Sequence, residues 1–229
     1  MARQTTITGM GQAKATSKPS KVTRDGIGSA RKALEGFGTG LRVCGLTGGQ
    51  FSLIDLLDAV LDITGPADVA ISTWTAGVND TEAAKRAESM GRITRLRMLV
   101  DRSFLNRQPK YASRLVDLYG PESIRTCRIH AKFVVVTNDD WNVLISTSMN
   151  LNMNRRIESY DVSESPEIVA VWLGLINEIW ETAKPGLSDK LSKTRDYIAE
   201  RLGGESGPCR DDAEEIDGID LDAIIWGND

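Results

Sequence analysis

Between residues 41 and 183 short apolar runs alternate with segments whose apolar residues recur at helical spacing, and this rhythm limits the chain to few architectures. Residues 41–46 form a compact apolar run that Gly48 and Gly49 turn. Phe51, Leu53, Ile54, Leu56, Leu57, Val60 and Leu61 then repeat as one face of a helix. Strand patterns follow at 68–74 and 95–100, separated by a helix rich in Ala, Glu and Lys at 81–89. A further helix is expected at 111–118, stopped by Gly120 and Pro121. Three strand-like runs lie close together at 124–136, 142–146 and 157–162, ahead of a long helix from Pro166 to about Ala183. Strand alternating with helix predicts an α/β protein, a sheet with helices on its faces.

The ends differ from this middle. Residues 1–32 carry seven basic residues against Asp25 alone and few large apolar ones, which reads as a flexible basic arm. Residues 203–229 hold nine acids and one base, Arg210, and close on an apolar tip around Ile219, Leu221, Ile224, Ile225 and Trp226. An acidic tail of this kind solubilises, competes for basic surface, or offers a protein partner its apolar tip. The expected division is an arm at 1–32, a domain at 33–202 and a tail at 203–229.

Cys44, Cys127 and Cys209 are odd in number, far apart and free of any Cys-x-x-Cys, so neither a disulfide framework nor a zinc finger is signalled. No stretch approaches the roughly 18 to 20 apolar residues that span a bilayer, and no secretory h-region begins the chain. A cytoplasmic protein without membrane attachment is expected. The chain has a single histidine, so any metal site or catalytic group needing two histidines from one chain is impossible. Gly45-Leu46-Thr47-Gly48-Gly49 stands where a phosphate loop can lie, but it lacks the Walker lysine and reads as a turn.

Histidine chemistry therefore falls to His130. His130-Ala131-Lys132 precedes the apolar run Phe133-Val134-Val135-Val136; on a strand His130 and Lys132 would share a face. The next strand ends in Ser146-Thr147-Ser148-Met149-Asn150, where Ser148 and Asn150 again alternate, and Glu158 follows. One imidazole, one ammonium, a hydroxyl and an amide make a receptor for a phosphodiester. The ammonium neutralises a non-bridging oxygen, hydroxyl and amide donate to others, and a neutral imidazole attacks phosphorus or returns a proton. A carboxylate such as Glu158 would hold the imidazole's tautomer.

His-x-Lys, an apolar strand, Ser-x-Asn and a following Glu together resemble the phospholipase D superfamily, most closely over residues 128–162. The resemblance implies a mixed β-sheet flanked by helices, metal-independent chemistry with no cofactor, and a covalent phosphohistidine. It assigns His130 as nucleophile or acid, Lys132, Ser148 and Asn150 as phosphate ligands, and Glu158 as the group orienting His130. Two positions depart from the family pattern: Thr137 stands where His-x-Lys-x4-Asp has its aspartate, with Asp139 and Asp140 just beyond, and Thr147 stands where a glycine usually precedes the serine. Family members use two motifs, and this chain carries one. The second histidine must then come from another copy, which makes a two-fold homodimer part of the expectation.

Residues 92–128 carry nine bases against Asp101, Asp117 and Glu122. Arg102, Arg107, Lys110, Arg128, Arg155 and Arg156 are therefore candidates for tracking a nucleic-acid backbone, DNA ahead of RNA. The resulting expectation is a nuclease. The alternative is a catalytically silent relative acting in nucleic-acid binding or assembly, motivated by Thr137 and the two oppositely charged ends.

Overall fold

The structure is a computed structural model, and it describes residues 20–23, 29–74, 76–151 and 156–187. Its centre is an eight-stranded mixed sheet. In chain order the elements are β1 (Ser20–Thr23), α1 (Ala30–Ala33), β2 (Arg42–Thr47), α2 (Leu53–Thr64), β3 (Ala67–Thr73), α3 (Val78–Ser89) and β4 (Ile93–Asp101). There follow α4 (Ser103–Arg107), α5 (Pro109–Tyr119), a 3-10 turn, β5 (Ile124–Cys127), β6 (Lys132–Thr137), β7 (Asn142–Thr147), β8 (Glu158–Glu164) and α6 (Pro166–Thr182). Across the sheet the order is β1-β2-β8-β7-β6-β3-β4-β5. β3, β4 and β5 run parallel, as do β1 and β2, while β6, β7 and β8 alternate in direction between these two groups. The α/β class and the mixed sheet flanked by helices are as expected.

Local sequence explains most boundaries. Ser52 caps α2: its hydroxyl accepts from the Asp55 amide while the Asp55 carboxylate accepts from the Ser52 amide at 2.8 Å, a reciprocal capping box. Pro109 opens α5 where a missing N–H costs nothing, and Gly120, at φ 74°, closes it. Ser165 and Pro166 start α6 in the same manner.

The run at 133–136 is apolar without interruption because β6 lies in mid-sheet and both of its faces are covered. Val134 and Val136 enter a core shared with α2, α3 and α5, where Leu53, Leu56, Ile71, Met98, Leu115 and Ile145 are fully buried. Phe133 and Val135 enter a second core beneath α6, with Leu99, Leu144, Val169, Ile176 and Ile179. The last helix covers this second core with its apolar side: Trp172 packs on Phe133 with ring centroids 4.4 Å apart, and Trp180 lies under Arg125.

Three readings need correction. The run at 124–136 is not one strand. β5 sits at the sheet edge beside β4, whereas β6 lies between β3 and β7, and residues 128–131 carry the chain from one to the other. α3 begins three residues earlier than its Ala-rich centre suggests, and α4 has no counterpart in the apolar periodicity. Within the stretch read as a basic arm, residues 20–23 pair in parallel with β2, and Ala30 and Ala33 are buried in the main core. The remainder of that arm and the whole acidic tail lie outside the described residues. Among the described residues no helix is long and apolar enough to cross a membrane.

Replacing Ser52 by Ala removes one half of the capping box. It should lower unfolding stability by about 1 kcal/mol, seen as a reduced urea midpoint with an unchanged m-value.

Candidate active site at one end of the sheet

Strand register brings the sequence-predicted residues to one edge. Lys132 pairs with Thr147, Thr147 with Tyr160, and Thr47 with Glu158, so the amino ends of β6 and β8 meet the carboxyl ends of β2 and β7. The carboxyl ends of β3, β4 and β5 lie along the same edge. Sites in α/β sheets form where strand ends leave the backbone and its loops free to converge.

His130 is not on the strand with Lys132; it precedes β6 in an irregular link and is exposed. Two hydrogen bonds set that link in place. The buried Ser72 hydroxyl donates to the Ala131 carbonyl at 2.7 Å, and the Ile129 amide donates to Asp101 Oδ2 at 3.2 Å. His130 and Lys132 still meet: Lys132 Nζ lies 3.2 Å from Nε2 and 3.4 Å from Nδ1 of the imidazole. An ammonium only donates, so the ring nitrogen it engages serves as acceptor.

The other side of the site is a turn stitched to β8. Ser148 donates its hydroxyl proton to Glu158 Oε2 and accepts from the Ser159 amide at 2.9 Å. Glu158 is thus hydrogen-bonded to Ser148, not to the imidazole it was expected to orient. Thr147, where the family has glycine, fits without strain, since no described non-glycine residue has a positive φ. Its hydroxyl donates to the Ser159 carbonyl at 2.6 Å and accepts from the Met149 amide at 3.0 Å, so threonine locks the turn that glycine would merely permit. Asn150 is half-buried, and its Oδ1 is buried without a hydrogen-bond partner. Such an atom carries a desolvation cost of about 1–3 kcal/mol, which only a hydrogen-bond donor can relieve.

Thr137 lies at the far end of β6, paired with Asp68 and Asn142. It lies five residue steps from Lys132, roughly 17 Å at the usual rise. The missing aspartate is therefore remote from the reacting end.

Charge at the site is set by burial and one carboxylate. Desolvation pushes the Lys132 ammonium below the usual lysine range, and Glu158 opposes that shift. Burial pushes the Cys127 thiol up to about 12, so the sulfur at the end of β5 stays protonated. The glycine turn after β2 is filled by the chain itself: Gln50 Oε1 accepts from the Gly48 amide at 2.6 Å and from the Thr47 hydroxyl at 3.0 Å. It is a turn, as read.

The basic stretch does not form one patch. Arg92 is ion-paired with Asp58 and Asp62, Arg114 with Glu82, and Arg97 and Arg125 are buried around Trp180 under α6. Arg102 and Arg128 adjoin the ends of β4 and β5 at the site edge, and Lys110 is exposed at the start of α5. Arg156 is exposed just before β8, and Arg155 lies outside the described residues. Arg107 stacks on Trp74, its guanidinium carbon 3.6 Å from the ring centroid. Trp74 in turn stands edge-on to His130, with centroids 5.6 Å apart and planes at 69°. Sequence reading passed over Trp74; its position at the end of a strand in the same sheet was the only available signal.

No family profile matches the chain, and no curated protein does. Among solved structures, the fold is similar to Nuc from Salmonella typhimurium, described as a phospholipase D family member. That match has 16% identity and a TM-score of 0.42, over 64% of this chain and 98% of that one. It is similar also to NucT from Helicobacter pylori, with 15% identity and a TM-score of 0.44, over 63% of this chain and 99% of that one. A third is TrmBL2, an archaeal chromatin protein, with 18% identity and a TM-score of 0.38, over 55% of this chain and 48% of that one. Likenesses this loose leave function to be argued from the chain's own residues.

Replacing Glu158 by Gln removes the carboxylate that supports the Lys132 charge. The Lys132 amine should then titrate at lower pH than in wild type, read from its Cε resonance, and inorganic phosphate binding should fade at a correspondingly lower pH.

Proposed function

We propose that the protein is a metal-independent phosphodiesterase, a nuclease of the phospholipase D type, whose site is completed by a second copy of the chain. The observation that carries this reading is the convergence of His130, Lys132, Ser148, Asn150 and Glu158 on one sheet edge, from β6, β8, the link before β6 and the turn after β7. Nothing in local sequence forces Lys132 and Ser148 to be neighbours. The pairing of Lys132 with Thr147, one residue before Ser148, supports a common task.

In this reading the scissile phosphate sits against Lys132, whose ammonium offsets charge on a non-bridging oxygen as the pentacoordinate state forms. Asn150 supplies an amide to a second oxygen, and Ser148, backed by Glu158, supplies its hydroxyl once the phosphate competes for the proton. A neutral His130 nitrogen attacks phosphorus while the bond to the leaving oxygen breaks, and that oxygen takes a proton from His130 of the partner subunit. Water then attacks the phosphohistidine. It gives its proton back to the partner's His130, and the nitrogen–phosphorus bond breaks to regenerate the imidazole.

One chain contains one imidazole, so the acid and the nucleophile cannot both be supplied by a monomer. A two-fold dimer brings the same edge opposite itself. Leu46 and Ile157, 64% and 81% exposed, flank this edge on neighbouring strands and suit burial against a second copy. Arg102, Arg107, Arg128 and Arg156 border the edge and suit backbone phosphates more than base edges, which makes binding sensitive to salt and indifferent to sequence.

Plasmid and single-stranded DNA incubated in excess EDTA should be cleaved by wild type and left intact by His130→Ala. Cleavage that EDTA abolishes, or that survives the substitution, would refute the proposal. Binding without turnover, weakening steeply with salt, would favour the silent nucleic-acid-binding relative.

Sedimentation at assay concentrations should show a dimer. Ile157→Glu should shift it toward monomer and reduce cleavage in parallel, whereas a cleaving monomer would exclude the shared site.

A further inference from the structure

Glu158 is engaged by Ser148, which leaves open what holds the His130 ring. The surroundings supply a different support. Asp101, at the end of β4, accepts through Oδ2 from the Ile129 amide, one residue before His130. Through Oδ1 it accepts from the Ser103 amide at 2.9 Å and from the Ser103 hydroxyl. The Ser103 hydroxyl accepts from Arg107 Nε at 3.0 Å. Arg107 then lies over the Trp74 ring and donates through Nη2 to the Trp74 carbonyl at 2.8 Å. The indole meets the imidazole in an edge-to-face arrangement.

These contacts form a closed circuit, Asp101 to Ser103 to Arg107 to Trp74 to His130 and back through Ile129. It grips His130 twice, by its backbone and by its ring. A guanidinium held by two hydrogen bonds loses little further freedom on stacking, and an indole clamped in this way presents a fixed surface to its neighbour. Edge-to-face contact restrains ring rotation without consuming either nitrogen, so it is compatible with the Lys132 contact and with proton and phosphoryl transfer at the ring. One face of the indole is already taken by Arg107, which suits a support more than a platform for an unpaired nucleobase.

We propose that Trp74, clamped beneath Arg107, is the positioning residue for the His130 imidazole, taking the orienting part that sequence reading gave to Glu158. The assignment rests on His130 being the reacting group, yet its test does not depend on activity alone. Because the chain has a single histidine, a long-range proton–nitrogen spectrum of the full chain, without a histidine tag, reports one imidazole. In wild type its carbon-bound protons should be displaced by the indole ring current. Trp74→Ala should abolish that displacement, Arg107→Ala should diminish it, and Trp74→Phe should keep most of it.

With a single-stranded oligonucleotide as substrate, Trp74→Ala should lower kcat on the order of 10²-fold with KM nearly unchanged, and Trp74→Phe should restore most of the rate. Imidazole resonances and kcat that match wild type in Trp74→Ala would overturn the proposal, as would a rise in KM alone, which would make Trp74 a substrate contact. Arg107 is exposed, so Arg107→Ala keeps the question decidable should Trp74→Ala fail to fold. An active His130→Ala variant would sink the nuclease reading, while the spectrum would still decide whether Trp74 positions the ring.

Discussion

The pairing of β6 with β7 is the contact on which the site depends. Its register sets Lys132 opposite Thr147, so that the ammonium lies one residue from the Ser148 turn. A slip of one residue would turn Val134 and Val136 out of one core and Phe133 and Val135 out of the other. Because helices cover both faces of β6, neither core can tolerate that exchange, and the packing that stabilises the sheet also holds the site in register.

Around this frame, polar contacts are concentrated where the strands end. Ser72, Thr73, Thr147 and Ser159 each tie a loop at the site edge to a strand, through the Ala131 carbonyl, the Leu151 amide, the Ser159 carbonyl and Ser148 respectively. The Ser72 and Thr73 bonds are sheltered from solvent, where a hydrogen bond has modest net value but is costly to leave half-made, so they specify one loop path. The result is a rim whose backbone is held from below while His130 and Ser148 remain exposed above it. Lys132 sits between the two conditions: desolvation lowers its hold on the proton, and the nearby Glu158 carboxylate opposes that shift.

Much of this was legible in the sequence, and the gaps have physical causes. Periodicity located β2, α2, β3, β4, α5, β7 and α6 to within a few residues, because each buries a regular face. It joined β5 to β6, since two short apolar strands separated by only four residues give one continuous pattern whether or not they are neighbours in the sheet. Local charge counting overestimated the basic surface. Arg97 and Arg125 look like the other arginines in sequence, but they face Trp180 beneath α6 and are buried. The replacement at Thr137 looked like damage to the motif. Its place at the opposite end of β6 shows why adjacency in a sequence pattern need not mean adjacency in the site.

What the sequence determined by itself was the α/β class and the limit of one imidazole per chain, because these follow from periodicity and counting. The tertiary structure alone decided which of the candidate groups touch. The hydrogen bond between Glu158 and Ser148, and the stack of Arg107 on Trp74 against His130, join residues from β8 and the turn after β7, from α4, and from the ends of β3 and β5. Such contacts depend on sheet order and register, which arise from packing over the whole core and leave no mark in any local stretch of chain.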